Sequence, residues 1–508
     1  VRDAFRQALV KLGELIAGTG LTARGPDVEV TAIVNDSKNA APGCLFVAIR
    51  GIAQDGHDYL GLAVTRGASV LVVEDPARVP ASFTGPVVVA TSGRKALNRL
   101  AGRFHGDPGE EMFCVGVTGT DGKTSVTHMV EAVLSAAGIP TGVIGTVDHH
   151  FGEHRWPGDT TPPPIVMQER LAQFRKLGAR AVALEATSQG LSQSRVSGVP
   201  FDVAVFTNLT RDHLDYHRTL DAYFAAKERL FTEALAGSEK RQRFAIINVD
   251  TPYGARISVP PHVTKWTYGR RGTGADLETE VLETSLSGST YRLRAWGKEA
   301  ELRLPLLGAF NGDNALAALA VGVAAGADFH TSVEALHHYE GVPGRVQWLA
   351  HPGEKAVFID YAHSPDAFEK VLGTVRAVLS RERTGARLVT MFGCGGDRDR
   401  GKRPLMLAIA LRLSDRVIVT TDNPRSEDPR AIVEEMLTGA PSAADRERVT
   451  VELDRGRAIH LALDSTGDAD VVMLLGKGHE DYQLVGNERL HHSDHAVAAA
   501  KLAGMGST

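Results

Sequence analysis

The sequence predicts an α/β protein of three domains: a small N-terminal α/β unit, a central phosphate-loop unit on a mostly parallel sheet, and a C-terminal Rossmann-like unit. Three observations predict it. Short apolar, strand-like runs alternate with helical periodicity along most of the chain, the pattern of parallel α/β sheets. At 508 residues the chain exceeds what one core serves, so roughly two to four domains are expected. Two stretches bearing Gly and Pro, 106–109 and 341–344, read as linkers and divide the chain into 1–110, 111–340 and 341–508.

Bulk properties narrow the function classes. With 43% hydrophobic and 23% charged residues the chain is globular rather than disordered. Its net charge of −5 offers no basic excess for a nucleic-acid partner. Cys44, Cys114 and Cys394 lie far apart without a CxxC pair, which argues against a disulfide framework or a zinc ribbon. Arg2, Asp3, Arg6 and Lys11 interrupt any secretory pattern at the start. The longest apolar stretch, 315–327, is too short for a bilayer and holds Gly322 and Gly326. The expectation is a cytoplasmic protein with no membrane span.

In the first unit, residues 27–34 alternate as a strand and 44–49 form another, with a polar, glycine-bearing loop at 51–58. A helix and a strand over 68–74 complete it. Its polar loops read as plain connections.

The second unit opens on the most informative stretch. An apolar run over 112–115 leads into Gly116, Val117, Thr118, Gly119, Thr120, Asp121, Gly122, Lys123, Thr124 and Ser125. Apolar residues then recur at Val126, Met129, Val130, Val133, Leu134 and Ala137, one face of a helix that Gly138 and Pro140 stop. Strand, glycine-rich turn, Gly-Lys-Thr and helix make a phosphate-binding loop. Backbone N–H groups at the helix start face a polyphosphate, Lys123 reaches its outer phosphates, and the Thr124 hydroxyl suits Mg²⁺. The register is unusual: Val117 stands where the general pattern has Gly, and Gly116 is one place early. ATP or GTP is therefore expected as substrate.

Downstream, polar residues follow apolar strand-like runs, where open α/β sheets bind ligands. Glu185 follows 181–184 and is placed to hold Mg²⁺ directly or through water; the plainer reading is a charge at a helix start. Asn208, Arg211, Asp212 and His213 follow 203–206. Lys227 reads from the residues alone as a solvated helix-face lysine. Asn311 and Asn314 open an alanine-rich helix as caps or as nucleotide contacts.

The third unit repeats the pattern four times. Runs at 356–359, 388–392, 417–420 and 471–475 end in clusters containing Asp360 and His363; Arg398, Lys402 and Arg403; Asp422, Asn423, Pro424 and Arg425; and Gly476, Lys477, His479 and Glu480. Their convergence on one sheet edge suits an acidic ligand.

Together these motifs resemble the Mur ligases, which build the peptide stem of bacterial cell-wall precursors, and the resemblance spans essentially the whole chain. It rests on the phosphate loop, Asp159 with Thr160 and Thr161, Glu185 to Ser188, Thr207 to His213, Lys227, Asn311 to Asn314, Pro343 to Arg345, and Asp360 to His363. Residues 393–399, Asp422 to Arg425 and Gly476 to Glu480 resemble the branch that adds meso-diaminopimelate to UDP-N-acetylmuramoyl-L-alanyl-D-glutamate.

The resemblance implies roles residue by residue. Asn35, Ser37, Ile52, Ala53 and Gln54 would hold the UDP part. Asp159, Thr160, Thr161, Thr187, Gln193 and Arg195 would hold the muramoyl-dipeptide. Gly119, Thr120, Asp121, Gly122, Lys123, Thr124, Ser125, Asn311, Arg345, Asp360 and His363 would serve ATP. Arg398, Asp422, Asn423, Pro424, Arg425, Gly476 and Glu480 would bind the incoming amino acid. Lys123, Glu185, His213 and Lys227 would be catalytic. Thr124, Glu185, His213 and a carbamylated Lys227 (N6-carboxylysine) would hold Mg²⁺; carbamylation turns a cation that repels the metal into an oxygen ligand. This replaces the surface reading of Lys227. The implied activity is ATP-dependent amide-bond formation through an acyl phosphate, by a monomer on small-molecule substrates. A relative adding L-lysine, or a non-ligating nucleotide-binding regulator, is the alternative. Gln189 stands where the branch commonly has His, and His495 where Arg is common.

Overall fold

The computed structural model describes residues 9–51, 54–349 and 355–505. Runs such as Val70–Val73, Ala181–Glu185, Val203–Phe206 and Val471–Leu475 are buried along their whole length. Strands buried on both faces read as unbroken apolar runs rather than as alternation. That is why these elements were legible.

The N-terminal unit is a five-stranded sheet in the order Thr22–Arg24, Val87–Val89, Val70–Val73, Cys44–Val47, Ala32–Val34. The last four pair in parallel; the Thr22–Arg24 edge is antiparallel. Helix Gly93–Phe104 covers one face through Ala96, Leu97 and Leu100. Leu60–Thr65 covers the other. The run expected as one strand over 27–34 is two: Glu29–Val30 pairs with Val10–Lys11, and only Ala32–Val34 joins the sheet. A short helix, Leu12–Ile16, precedes the sheet.

The central sheet has 11 strands, with the loop strand Phe113–Thr118 between Ala181–Glu185 and Val203–Phe206, all parallel. Crossover helices pack on both faces. The loop helix Lys123–Ala136 and Phe310–Ala324 share one core; Pro164–Lys176 and Leu220–Arg229 lie over the other. Both edges depart from strand–helix alternation: Thr141–Ile144, His149–Phe151 and His154–Trp156 pair antiparallel at one, and a longer meander forms the other. Leu277–Ser285, Gly288–Ala295 and Lys298–Leu304 form this antiparallel meander. Its middle strand alternates buried and part-exposed residues, as a one-sided sheet does.

The C-terminal unit has six strands in the order Gln347–Trp348, Ala356–Asp360, Val471–Leu475, Leu388–Phe392, Arg416–Val419, Val449–Val451, parallel except the first. The four polar clusters of the sequence all follow parallel strands, so they share one edge. None of the described helices is long and apolar enough to cross a membrane.

Candidate functional site

The phosphate loop is shaped by two glycines. Gly119 has φ +152, and an added Cβ would lie 1.8 Å from Thr207 Oγ1. Gly122 has φ +84, and its Cβ would lie 2.6 Å from Asn314 Oδ1. No other residue fits both demands. Asn208 braces the turn: its carbonyl accepts from Thr120 N (3.0 Å) and its Oδ1 from Asp121 N (2.9 Å). No side chain caps the first turn of the loop helix. Its N–H groups are thus kept for an anion.

Two lysines converge on one carbonyl. Lys123 Nζ donates to Gly119 O (3.0 Å) and Thr120 O (2.7 Å); Lys227 Nζ donates to the same Gly119 O at 2.6 Å. Lys227 is 1% exposed and sits 4.4 Å from the Tyr223 ring centre. Burial, then the charge of Lys123, pushes the Lys227 amine well below the ordinary lysine range. Burial also lowers Lys123. Desolvation favours the neutral form of an amine, the form that carbamylation would require. The surface reading of Lys227 is therefore overturned by its burial.

Glu185, at the end of its strand, is held by three donors: Thr124 Oγ1 (3.0 Å), Thr146 N (2.7 Å) and Thr146 Oγ1 (3.0 Å). Arg345 donates to Thr124 Oγ1 at 2.9 Å and stacks on Tyr361, 4.6 Å from its centre. Thr124 and Glu185 thus offer adjacent hard oxygen donors, the chemistry Mg²⁺ requires, and a carbamate on Lys227 would add another. His213 has φ +51, and burial lowers its pKa to about 4. Asn311 and Asn314 do not cap their helix, which begins at Phe310 without a side-chain cap. Both are buried, and Asn314 closes against Gly122. Asp360 accepts from Val346 N and Ala362 N, both at 2.7 Å, fixing the strand end that carries His363.

A cavity of about 1280 Å³ brings most of these groups together, while Gly119 and the buried Lys227 stand behind its lining. Thr120 to Ser125, Glu185, His213, Asn311, Arg345, Asp360 and His363 line it. So do Asp159, Thr160, Thr161, Thr187 and Arg195, bonded as a set: Thr161 Oγ1 lies 2.9 Å from Thr187 Oγ1, and Arg195 donates to Thr161 O at 2.8 Å. From the C-terminal unit come Arg398, Arg425 and Glu480.

Other expected site residues stand behind that wall. Asp422 and Asn423 are buried; Lys477 Nζ lies 2.9 Å from Glu480 Oε2, 3.3 Å from Asn423 Oδ1 and 3.6 Å from Asp422 Oδ1. Pro424 O packs under Gly396, and Gly476, at φ +108, packs beside Asp422. Arg425 has φ +52 and pairs by backbone with the Tyr482–Val485 strand; its Nη1 donates to Gly396 O at 2.8 Å. Gln193 faces Arg195 and Tyr216 rather than the cavity. Asn35, Ser37 and Gln54 stand away from it, beyond two neighbouring parallel strands of the N-terminal sheet. Arg94 links that edge to the central unit, donating to Arg50 O (3.4 Å) and Gln193 O (3.5 Å). Ile52 and Ala53 lie outside the described residues.

Sequence reasoning missed Thr146 and Arg94, and the burial of Lys477. Thr146 follows strand Thr141–Ile144, so the strand-end rule that found Glu185 would have found it. Lys477 stood inside a recognised cluster, but its burial shows only in three dimensions.

Three family models match in the order of the units: the Mur ligase family catalytic domain over 29–105, the Mur ligase middle domain over 117–322, and the Mur ligase glutamate ligase domain over 344–478. The chain belongs to the Mur ligase family. This Mur ligase is 43% identical to the UDP-N-acetylmuramoyl-L-alanyl-D-glutamate–2,6-diaminopimelate ligase of Geobacter metallireducens, over 93% of this chain and 94% of that one. It is 41% identical to the ligase of the same name from Aquifex aeolicus, over 94% of each. A solved structure of a ligase of that name aligns with TM-score 0.69 and 30% identity, covering 99% of this chain and 100% of the other.

Proposed function

We propose that this Mur ligase joins meso-diaminopimelate to UDP-N-acetylmuramoyl-L-alanyl-D-glutamate at the expense of ATP. The observation that carries the reading is the single cavity. It places the phosphate loop, the Asp159 to Thr161 segment and the arginines of the third unit around one space. The relatives of that name match over nearly the full chain, which supports the same substrates here.

The D-glutamate γ-carboxylate attacks the γ-phosphorus of ATP, giving an acyl phosphate and ADP. The amine of diaminopimelate then attacks that carbonyl, leaving an amide and phosphate. The chain's work is positioning and charge neutralisation. Lys123 leaves its two loop carbonyls for the β- and γ-phosphates. Arg345, fixed on Tyr361, neutralises charge beside Thr124. Mg²⁺ bound at Thr124, Glu185, His213 and a carbamate on Lys227 would screen the repulsion between carboxylate and phosphate. Arg425, held by loop carbonyls, grips the distal carboxylate of diaminopimelate. Lysine lacks that carboxylate and leaves the guanidinium unpaired, so discrimination of roughly 10⁴ is expected.

We assign the UDP part to residues 1–110, ATP to 111–340 and the amino acid to 341–508. The three cysteines are buried and unpaired, which suits a reducing cytoplasm, where ATP and UDP-linked substrates are made. Phosphate release in the presence of ATP and Mg²⁺ tests the reaction. It should require both UDP-dipeptide and diaminopimelate; release independent of either would overturn it.

A further inference from the structure

The loop helix carries a second polar cluster, away from the nucleotide. His128 and Glu131 follow Thr124 by four and seven residues, so all three share one helix face. His150 reaches the cluster from strand His149–Phe151. One ligand atom from each of His128, Glu131 and His150 lies within 4.8 Å of the others. Glu131 Oε2 is 2.9 Å from His150 Nε2 and 3.9 Å from His128 Nδ1. The two imidazole rings lie 5.2 Å apart. Asp148 Oδ1 engages His150 Nδ1 at 2.6 Å, and Arg155 lies 3.2 Å from the other carboxylate oxygen. Asp148 and Arg155 line the large cavity; His128, Glu131 and His150 do not.

We propose that His128, Glu131 and His150 form a site for a divalent transition-metal ion of the zinc class, separate from the oxygen-donor site at Thr124 and Glu185. Two imidazoles and one carboxylate are a set that Zn²⁺ takes with a fourth position open. The Asp148 contact is the outer arrangement such sites use: a carboxylate fixes one ring nitrogen and leaves the other for the ion. An ion pair alone accounts for His150 but not for His128, whose Nδ1 stands beyond hydrogen-bond range of Glu131. The Tyr339 hydroxyl is a second pointer. It is buried without a hydrogen-bond partner and feels the charge of Glu131. A water on the open metal position would give it one. An ion here ties the loop helix, which carries Thr124, to His150, four residues beyond Thr146, so it braces the donors of Glu185.

Titration of the full, nucleotide-free chain with Co²⁺ in Mg²⁺-free buffer tests the site. The expected result is one equivalent bound with the strong visible absorption of a four- or five-coordinate, nitrogen-ligated ion. That band should persist in Glu185→Gln, disappear in Glu131→Gln and His150→Gln, and require about 10–100-fold more Co²⁺ in Asp148→Asn. Because His150→Gln also removes two ion pairs, proton NMR of the unaltered protein supplies a second readout: Co²⁺ should shift the ring protons of His128 and His150. Only weak, octahedral absorption, a band lost in Glu185→Gln, or paramagnetic shifts confined to other histidines would overturn the proposal.

Discussion

Two buried charge clusters, one in the central unit and one in the C-terminal unit, behave in opposite ways. In the C-terminal unit, Arg455 is 1% exposed and each of its guanidinium nitrogens has a partner: Asp494 takes Nε and Nη2 at 2.8 and 2.6 Å, and Thr421 O and Leu475 O accept from Nη1 and Nη2 at 3.0 Å each. Burial works against the Asp494 carboxylate, but Arg455 and His492 hold it well below the usual carboxylate range. In the central unit Lys227 is equally buried, yet its one hydrogen bond goes to a carbonyl that Lys123 also uses. The first cluster is complete as it stands and builds a rigid edge. The second brings two amines onto one carbonyl, and the hydrogen bonds of both go to carbonyls rather than to a carboxylate, the signature of a site completed by a ligand or a modification. Burial alone does not mark function; a buried amine left without a carboxylate hydrogen-bond partner does.

Breaking the complete cluster should give the largest effect. Asp494→Asn leaves Arg455 buried without its counter-charge, and a loss of about 3–5 kcal/mol in unfolding free energy is expected by denaturant titration. The pH dependence sharpens this. The folded pKa of Asp494 is depressed, so its stabilisation is present above the unfolded value of about 3.9 and is lost as pH falls below that toward the folded value. The variant should lose that acid slope; an unchanged slope would refute the pairing argument.

Breaking the incomplete cluster should spare the fold and cost activity. Lys227→Ala removes a buried amine without orphaning a charge. Turnover should fall by roughly 10²–10³-fold, the scale for losing one electrostatic group at a reacting centre, with the melting temperature held or raised. Added formate or acetate should restore part of it; full activity in the variant would rule out the carbamate role. Arg425→Ala should lower kcat/KM for diaminopimelate by about 10–150-fold, the worth of a hydrogen bond to a charged group, leaving the KM for ATP unchanged. Equal kinetics for variant and parent would remove Arg425 from the specificity site. The smallest effect belongs to Thr219, whose Oγ1 caps the Lys227 helix by accepting from Ala222 N at 3.1 Å. Thr219→Ala should cost about 1 kcal/mol in stability with ligation retained.

The same contrast explains what the sequence revealed. Strands buried on both faces, such as Ala181–Glu185 and Val471–Leu475, announce themselves as apolar runs, and the residues at their ends follow from the sheet's geometry. The meander over Leu277–Ser285 and its neighbours was not legible, because one exposed face dilutes its apolar content. The wall behind Arg425 was half legible. Residue types identified Asp422, Asn423 and Glu480, but not that Lys477 faces both carboxylates and bonds the Asn423 amide from within. Lys227 was misjudged for a physical reason: helical spacing gives a face, and whether that face is buried depends on a loop 108 residues away.

The central claim is that Arg425 turns a general phosphate-loop ligase into one for diaminopimelate. Mass spectrometry of the product formed from UDP-N-acetylmuramoyl-L-alanyl-D-glutamate, ATP, Mg²⁺ and an equimolar mixture of meso-diaminopimelate and L-lysine tests it most directly. The account predicts the diaminopimelate adduct alone, at roughly 10⁴-fold preference. A lysine adduct in comparable amount, or no adduct at all, would contradict it.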